Sequence, residues 1–265
     1  MVASAGNHLK YTCMKKLFFA AAFFISAAGA FAQTTDWYVS VSIGPGWGGP
    51  QGSLKNKFEK TGFNQTSEFS FFGLGSNTSY PIVYRGVPVL VRAGKKLKGK
   101  KSIYVVAGTS AAAEVSGYKR EGSFGGVIAG TFGTHINMNY KVTQIAAGLE
   151  NSMPKSRIKL GYAPGAFLLR YHNTPGVSNP KKTTSVVPGL ALTGRLPLGR
   201  EKNNVGVELV ADINLAPPAT IKEQYKMVGD NISGFSTVQA LSATKVNMVH
   251  GTAGLALTLR KKKNV

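Results

Sequence analysis

Residues 245–260, KVNMVHGTAGLALTLR, admit one regular conformation. Val249, Gly251, Ala253, Leu255, Leu257 and Leu259 fall on one side of a period of two. Met248, His250, Thr252, Gly254, Ala256, Thr258 and Arg260 fall on the other. Side chains alternate in this way along a β-strand, and Gly251, Gly254 and the β-branched residues count against a helix. The same alternation recurs at 36–44, 82–94, 102–115, 138–149, 156–171, 183–198 and 204–215. It is cleanest in 204–215, where Val205, Val207, Leu209, Ala211, Ile213 and Leu215 oppose Gly206, Glu208, Asp212 and Asn214. A chain of such segments must bring one apolar face of every strand together, against a core or against lipid.

The amino terminus decides which solvent that face meets. Met14-Lys15-Lys16 precedes an apolar stretch ending at the small-x-small site Ala30-Phe31-Ala32, so residues 14–32 read as a secretory signal peptide. Residues 1–13 are expected to be an upstream extension from a misassigned start, and 33–265 the mature barrel domain. Cys13, the only cysteine, precedes the leader's apolar core, so disulfides and cysteine-ligated metals are excluded from the mature chain. Beyond the leader no apolar run reaches the roughly 20 residues of a membrane helix. A membrane form must then be a closed barrel, which satisfies every backbone group without an edge. Charged residues are only 16% of the chain, with Gly 32 and a net charge of +21. Such a field attracts polyanions; the export signal sets nucleic acid aside in favour of lipid phosphates.

Thr252-Ala253-Gly254-Leu255-Ala256-Leu257-Thr258-Leu259 resembles the C-terminal sorting signal of bacterial outer-membrane barrels, with Thr252, Gly254, Leu257 and Leu259 at the patterned positions. Leu259 stands where an aromatic is usual, and Lys261-Lys262-Lys263-Asn264-Val265 follows. The connections alternate: a long loop 44–80, a short basic turn 95–101, a long connection 116–136, a short turn 150–155, a medium loop 172–182, a short turn 199–203 and a long loop 216–244. Strands of about ten residues at about 3.3 Å each, tilted near 40°, span roughly 25 Å, the height of an outer-membrane apolar band. Over its mature length the chain thus resembles the small OmpA/OmpX-like outer-membrane proteins. That resemblance implies an all-β fold: an eight-stranded antiparallel up-and-down transmembrane β-barrel. Ten strands would follow if 69–75 and 225–238 added a hairpin. It implies a bacterial outer-membrane location, a monomer, lipid and lipopolysaccharide as neighbours, and the barrel-assembly machinery as a partner through the sorting signal.

Two groups of charged residues carry the functional reading. Glu114, Arg157, Lys159, Arg195, Glu208 and Asp212 lie on the polar faces and are expected inside the barrel. There they form either a salt-bridge gate in a narrow channel or an ion-paired, closed interior; the small bore of eight strands favours the second. Lys95, Lys96, Lys98, Lys100 and Lys101, with Lys261, Lys262 and Lys263, crowd the short-turn side, either holding anionic headgroups or forming a solvated rim.

His8, His135, His172 and His250 lack metal-ligand spacing. Gly44-Pro45-Gly46 makes no phosphate loop. No pattern of the His–Ser pair used by lipid A-modifying barrels is found, and no cofactor is expected. The expectation is a non-enzymatic outer-membrane barrel acting through its external loops. A narrow small-solute channel and a secreted, lipocalin-like barrel are the alternatives.

Overall fold

The computed structural model describes residues 37–260 apart from 98, 155, 174–182, 203, 222–223, 230–235 and 242. The expected leader at 14–32, the extension at 1–13, Lys98 and Lys261, Lys262 and Lys263 lie outside the described residues. In chain order the elements are β1 Trp37–Ile43, β2 Gly46–Gly48, α1 Pro50–Lys60, β3 Thr66–Phe71, β4 Leu74–Ser79, β5 Ile82–Arg85 and β6 Val89–Lys96. They continue with β7 Lys101–Phe124, β8 Ile128–Ser152, β9 Lys159–Asn173, β10 Thr183–Lys202, β11 Val205–Leu215, β12 Ala219–Ile221, β13 Gln224–Gly229, β14 Ser236–Leu241, β15 Thr244–Val246 and β16 His250–Arg260.

Among the described residues, eight strands close a ring in the order β1-β6-β7-β8-β9-β10-β11-β16. Every neighbouring pair is antiparallel, and the first and last strands seal it from Tyr38↔Arg260 to Ile43↔Leu255. The hairpins β3–β4 and β13–β14 stay outside the ring, so it is not widened to ten strands.

Burial follows the pleat. On β11 the residues from Val205 to Leu215 alternate between exposed and buried, with Glu208, Val210, Asp212 and Asn214 inside. Leu196, Leu198, Leu209, Ile213, Leu255 and Leu257 are exposed while Arg195, Glu208 and Asp212 are buried. This inverts the usual soluble arrangement, in which charged groups stay in water. It is the arrangement of a transmembrane β-barrel of the outer-membrane type, apolar outside and polar within. Among the described residues no helix is long and apolar enough to cross a membrane; the chain crosses with strands.

Five local readings are corrected. The expected strand 82–94 is two pieces, β5 and β6, both paired to β7. Pro88 lies between them and has no N–H for a ladder. The expected connection 116–136 is largely strand: β7 and β8 stay paired to Phe124↔Gly130, with a register shift between Arg120 and Gly122, leaving only 125–127 as the turn. Its glycines signal a loop in the sequence, yet Gly117 serves close packing: an added Cβ would lie 2.8 Å from Phe58 Cδ2. The expected loop 44–80 contains β2, α1 and the β3–β4 hairpin, and 216–244 contains β12 to β14. Finally, the β7–β8 register shifts between Thr109 and Ala111. This bulge adds one residue and reverses the faces beyond it. Ala111, Ala113 and Val115, expected toward lipid, are therefore buried inside.

Candidate functional site

The lower barrel interior, toward the short turns, is built around Arg195 of β10. Its Nε donates to Glu208 Oε2 at 2.7 Å, Nη2 donates to the same oxygen, and Nη1 donates to Glu150 Oε2 at 3.1 Å. The Tyr38 ring lies 4.8 Å from the guanidinium carbon. Glu208 Oε1 accepts from Lys159 Nζ at 2.9 Å and from Arg260 Nη2 at 2.7 Å, and Oε2 accepts from Thr258 Oγ1 at 3.2 Å. Three cations thus share two carboxylates drawn from five strands. Arg195 and Glu208 are each 1% exposed. Burial of charge on this scale is costly, and the pairing within the cluster offsets it.

A second cluster lies one layer toward the outside. Arg92 of β6 donates through Nη2 to Asp212 Oδ1 at 2.8 Å and to Thr193 Oγ1 at 3.3 Å. Thr193 donates to Asp212 Oδ1 at 2.5 Å, and Arg92 stacks 5.6 Å from the Tyr104 ring centre. Beyond buried Gln144 and Asn214, nearer the mouth, the interior turns apolar. Leu54 and Phe58 of α1, with Phe63, pack among Val115, Ile136, Met138 and Met248. The Gln51 amide donates to Tyr140 Oη at 3.2 Å, fixing the helix to the inner wall. Helix α1 therefore closes the mouth opposite the short turns.

Lys159, Arg195, Glu208 and Asp212 occupy these clusters. Glu114 and Arg157 do not, and their expected interior placement is corrected. Glu114 follows the bulge on β7, where parity carries it to the outer row opposite Tyr84. Arg157 is exposed in the β8–β9 turn, where its Nη1 donates to the Gly199 carbonyl at 3.5 Å. The sequence reading missed Arg92, Glu150 and Arg260 as interior groups. Arg92 and Arg260 could have been found by parity, since Arg92 alternates with Val91 and Ala93, and Arg260 with Leu259. Glu150 was assigned to a turn because strand four was expected to end at Leu149.

Of the short-turn lysines, Lys96, Lys100 and Lys101 are exposed, and Lys95 Nζ lies 5.7 Å from the Trp37 ring centre. Within the sorting-signal segment Thr252 is buried inside, Leu257 is exposed on the outer row, and Gly254 and Leu259 are half-buried.

One pair has no sequence motif. His250 Nδ1 lies 2.7 Å from the Met248 carbonyl oxygen, so it carries the proton, and Nε2, 2.8 Å away, accepts from Ser110 Oγ. Ser110 is the extra residue of the β7 bulge, so this bond ties the bulge to β16 across the barrel. His250 is 2% exposed and Ser110 is fully enclosed. Two small crevices, each with room for about one water, flank Pro88, where the β1–β6 pairing stops at Ile43↔Val89. Neither is lined by Ser110 or His250. Among the described residues no cluster of His, Cys, Asp and Glu could hold a metal.

No family model and no characterised sequence matches the chain. Solved outer-membrane proteins are similar in structure at low identity. The outer membrane protein AlkL, determined in DMPC bilayers, is 11% identical with a TM-score of 0.40, covering 88% of this chain and 93% of its own. Neisserial surface protein A is 11% identical with a TM-score of 0.35, covering 85% and 97%. The outer membrane protease OmpT from Escherichia coli is 9% identical with a TM-score of 0.39, covering 85% and 97%.

Proposed function

We propose that this chain is a closed, non-enzymatic barrel of the bacterial outer membrane that presents an external structure for interaction. One observation carries the reading: the interior is filled from both ends, while β7 and β8 continue well past the apolar band. On the outer row of β8, Leu149, Ala147 and Ile145 give way to Thr143, Lys141, Asn139 and Asn137. The strand then runs on to Ile128. Inside, the Arg195–Glu208 cluster and the α1 cap occupy the bore, as expected of a barrel this narrow. The exposed Lys96, Lys100 and Lys101 belong to the opposite, periplasmic rim, where they hold phospholipid phosphates.

Two measurements test this. The purified protein in planar bilayers should be electrically silent; reproducible single-channel steps would replace the closed barrel with a conducting one. A Val127→Cys variant should react with a membrane-impermeant maleimide on intact cells, because the only native cysteine, Cys13, lies before the expected cleavage site. Absence of labelling would overturn the external display.

A narrow, hydrated path is a second reading. It is favoured by Gln144 and Asn214, whose buried amides find no protein hydrogen-bond partner between the Arg92 cluster and the cap. The conductance measurement separates the two.

A further inference from the structure

We infer that the paired tips of β3–β4 and β7–β8 insert into a second, anionic lipid bilayer facing the cell, an inference that rests on the external display proposed above. The two turns lie side by side. β3 pairs with β8 through Phe69↔Gly130, Ser70↔Ala129 and Phe71↔Ile128, and the Phe72 amide donates to the Val127 carbonyl at 3.0 Å. The shared tip is apolar and uncovered: Leu74 is 83% exposed, Phe72 71%, Val127 60% and Phe69 52%. Phe71 and Phe72 meet edge to face with ring centres 4.5 Å apart.

Phe72 is the telling residue. The β3–β4 turn has two central residues, Phe72 at φ 50° and Gly73 at φ 76°. Such a turn favours Asn or Gly at its first central position, and a bulky side chain in the left-handed region is unusual. Phe72 therefore accepts backbone strain with no burial in return. Strain of this kind is held where a site uses it. A large apolar side chain at the point of greatest protrusion suits a partner that is fluid and flat. The tip is convex, and neither crevice described above reaches it.

Its own membrane is out of reach. From Lys141, where the outer row of β8 is already polar, to Ile128 the chain runs about 13 residues at about 3.3 Å each. At a tilt near 40° this lifts the tip roughly 30 Å above the apolar band. Directly behind the tip bases and acids are mixed. Lys119 and Arg120 are exposed on β7, with Lys60 at the end of α1, and Glu68, Glu121 and Glu59 lie among them. Farther down the same end Arg85, Lys141 and Arg170 are exposed, so among the described residues this end carries more bases than acids. Apolar tips backed by cations add burial to electrostatic attraction at an anionic lipid surface.

The experiment uses the full chain folded into phosphatidylcholine nanodiscs and sucrose-loaded vesicles. The protein should co-sediment with vesicles of phosphatidylcholine mixed with phosphatidylglycerol, at least tenfold better than with phosphatidylcholine alone. Phe72→Trp should show a blue-shifted emission on adding the mixed vesicles. Phe72→Asn relieves the turn, so it should keep the heat-modifiable, folded mobility on a gel and yet lose at least tenfold in vesicle binding; Phe72→Ser with Leu74→Ser should lose more. Equal binding to both vesicle types, binding unchanged by Phe72→Asn, or no sedimentation overturns the inference. Maleimide labelling of Val127→Cys on intact cells separates the two failures. A labelled tip that binds no vesicles overturns only the lipid partner, whereas an unlabelled tip overturns the external display with it.

Discussion

Lys159 on β9 and Glu208 on β11 meet across the intervening strand β10, with Nζ 2.9 Å from Oε1. The contact spans the inner surface of the wall, where a long side chain can reach past one strand to the next. It makes Glu208 the carboxylate shared by Lys159, Arg195 and Arg260.

Removing that carboxylate should cost more than removing any one of its partners. Glu208→Gln leaves three cations facing Glu150 alone. Breaking a buried pair in this way should destabilise the barrel by about 3–5 kcal/mol. Reversible urea unfolding in lipid vesicles measures it. A change under about 1 kcal/mol would mean that the cluster does not hold the barrel.

The next residue on β11 reports the opposite surface. Leu209 is exposed on the outer row, so Leu209→Arg should cost about 2–4 kcal/mol in the same unfolding experiment, as at a midplane lipid-facing site. A neutral outcome would show that this row does not face hydrocarbon.

The bulge on β7 predicts a contrast between two acidic residues. Asp212→Ala breaks the buried pair with Arg92 and should cost about 3–5 kcal/mol. Glu114→Ala, on the outer row beyond the apolar band, should stay within about 0.5 kcal/mol. Deleting Ser110 should return Glu114 to the interior and turn Ala113 and Val115 outward, abolishing the folded, heat-modifiable form on a gel.

Helix α1 is held by the close approach at Gly117. In Gly117→Val the new side chain would meet Phe58 and Phe63, the first Cβ alone lying 2.8 Å from Phe58 Cδ2. Overpacking should cost about 1–3 kcal/mol and loosen the cap. Trypsin should then cut after Lys57 or Lys60 in the variant much faster than in the parent protein. Equal cutting would mean that Gly117 does not seat the helix.

The period of two in 204–215 and 250–260 is a local property, so β11 and β16 and their outward rows were legible from the sequence alone; the expected run 245–260 is broken at 247–249, ahead of which 244–246 pairs with β12 as β15. The parity of β9, β10, β11 and β16 needs no knowledge of the partner strand, because each keeps an unbroken alternation. The same arithmetic placed Lys159, Arg195, Glu208 and Asp212 on inward rows. What the tertiary structure decided lies where register between strands matters. Only the pairing of β7 with β8 reveals the extra residue at Ser110, which turns Glu114 out and Val115 in. Only that ladder carries glycine-rich 116–136 on as strand, since glycine lowers local strand preference and the close contact of Phe58 over Gly117 exists only after folding. The closure of β1 on β16 brings Tyr38 and Thr258 to the Arg195–Glu208 cluster, and the ring sets Arg92 against Asp212. Those contacts join residues far apart in the chain. Alternation could assign each side chain to a face, but which opposite charge it would meet there was fixed by the ring.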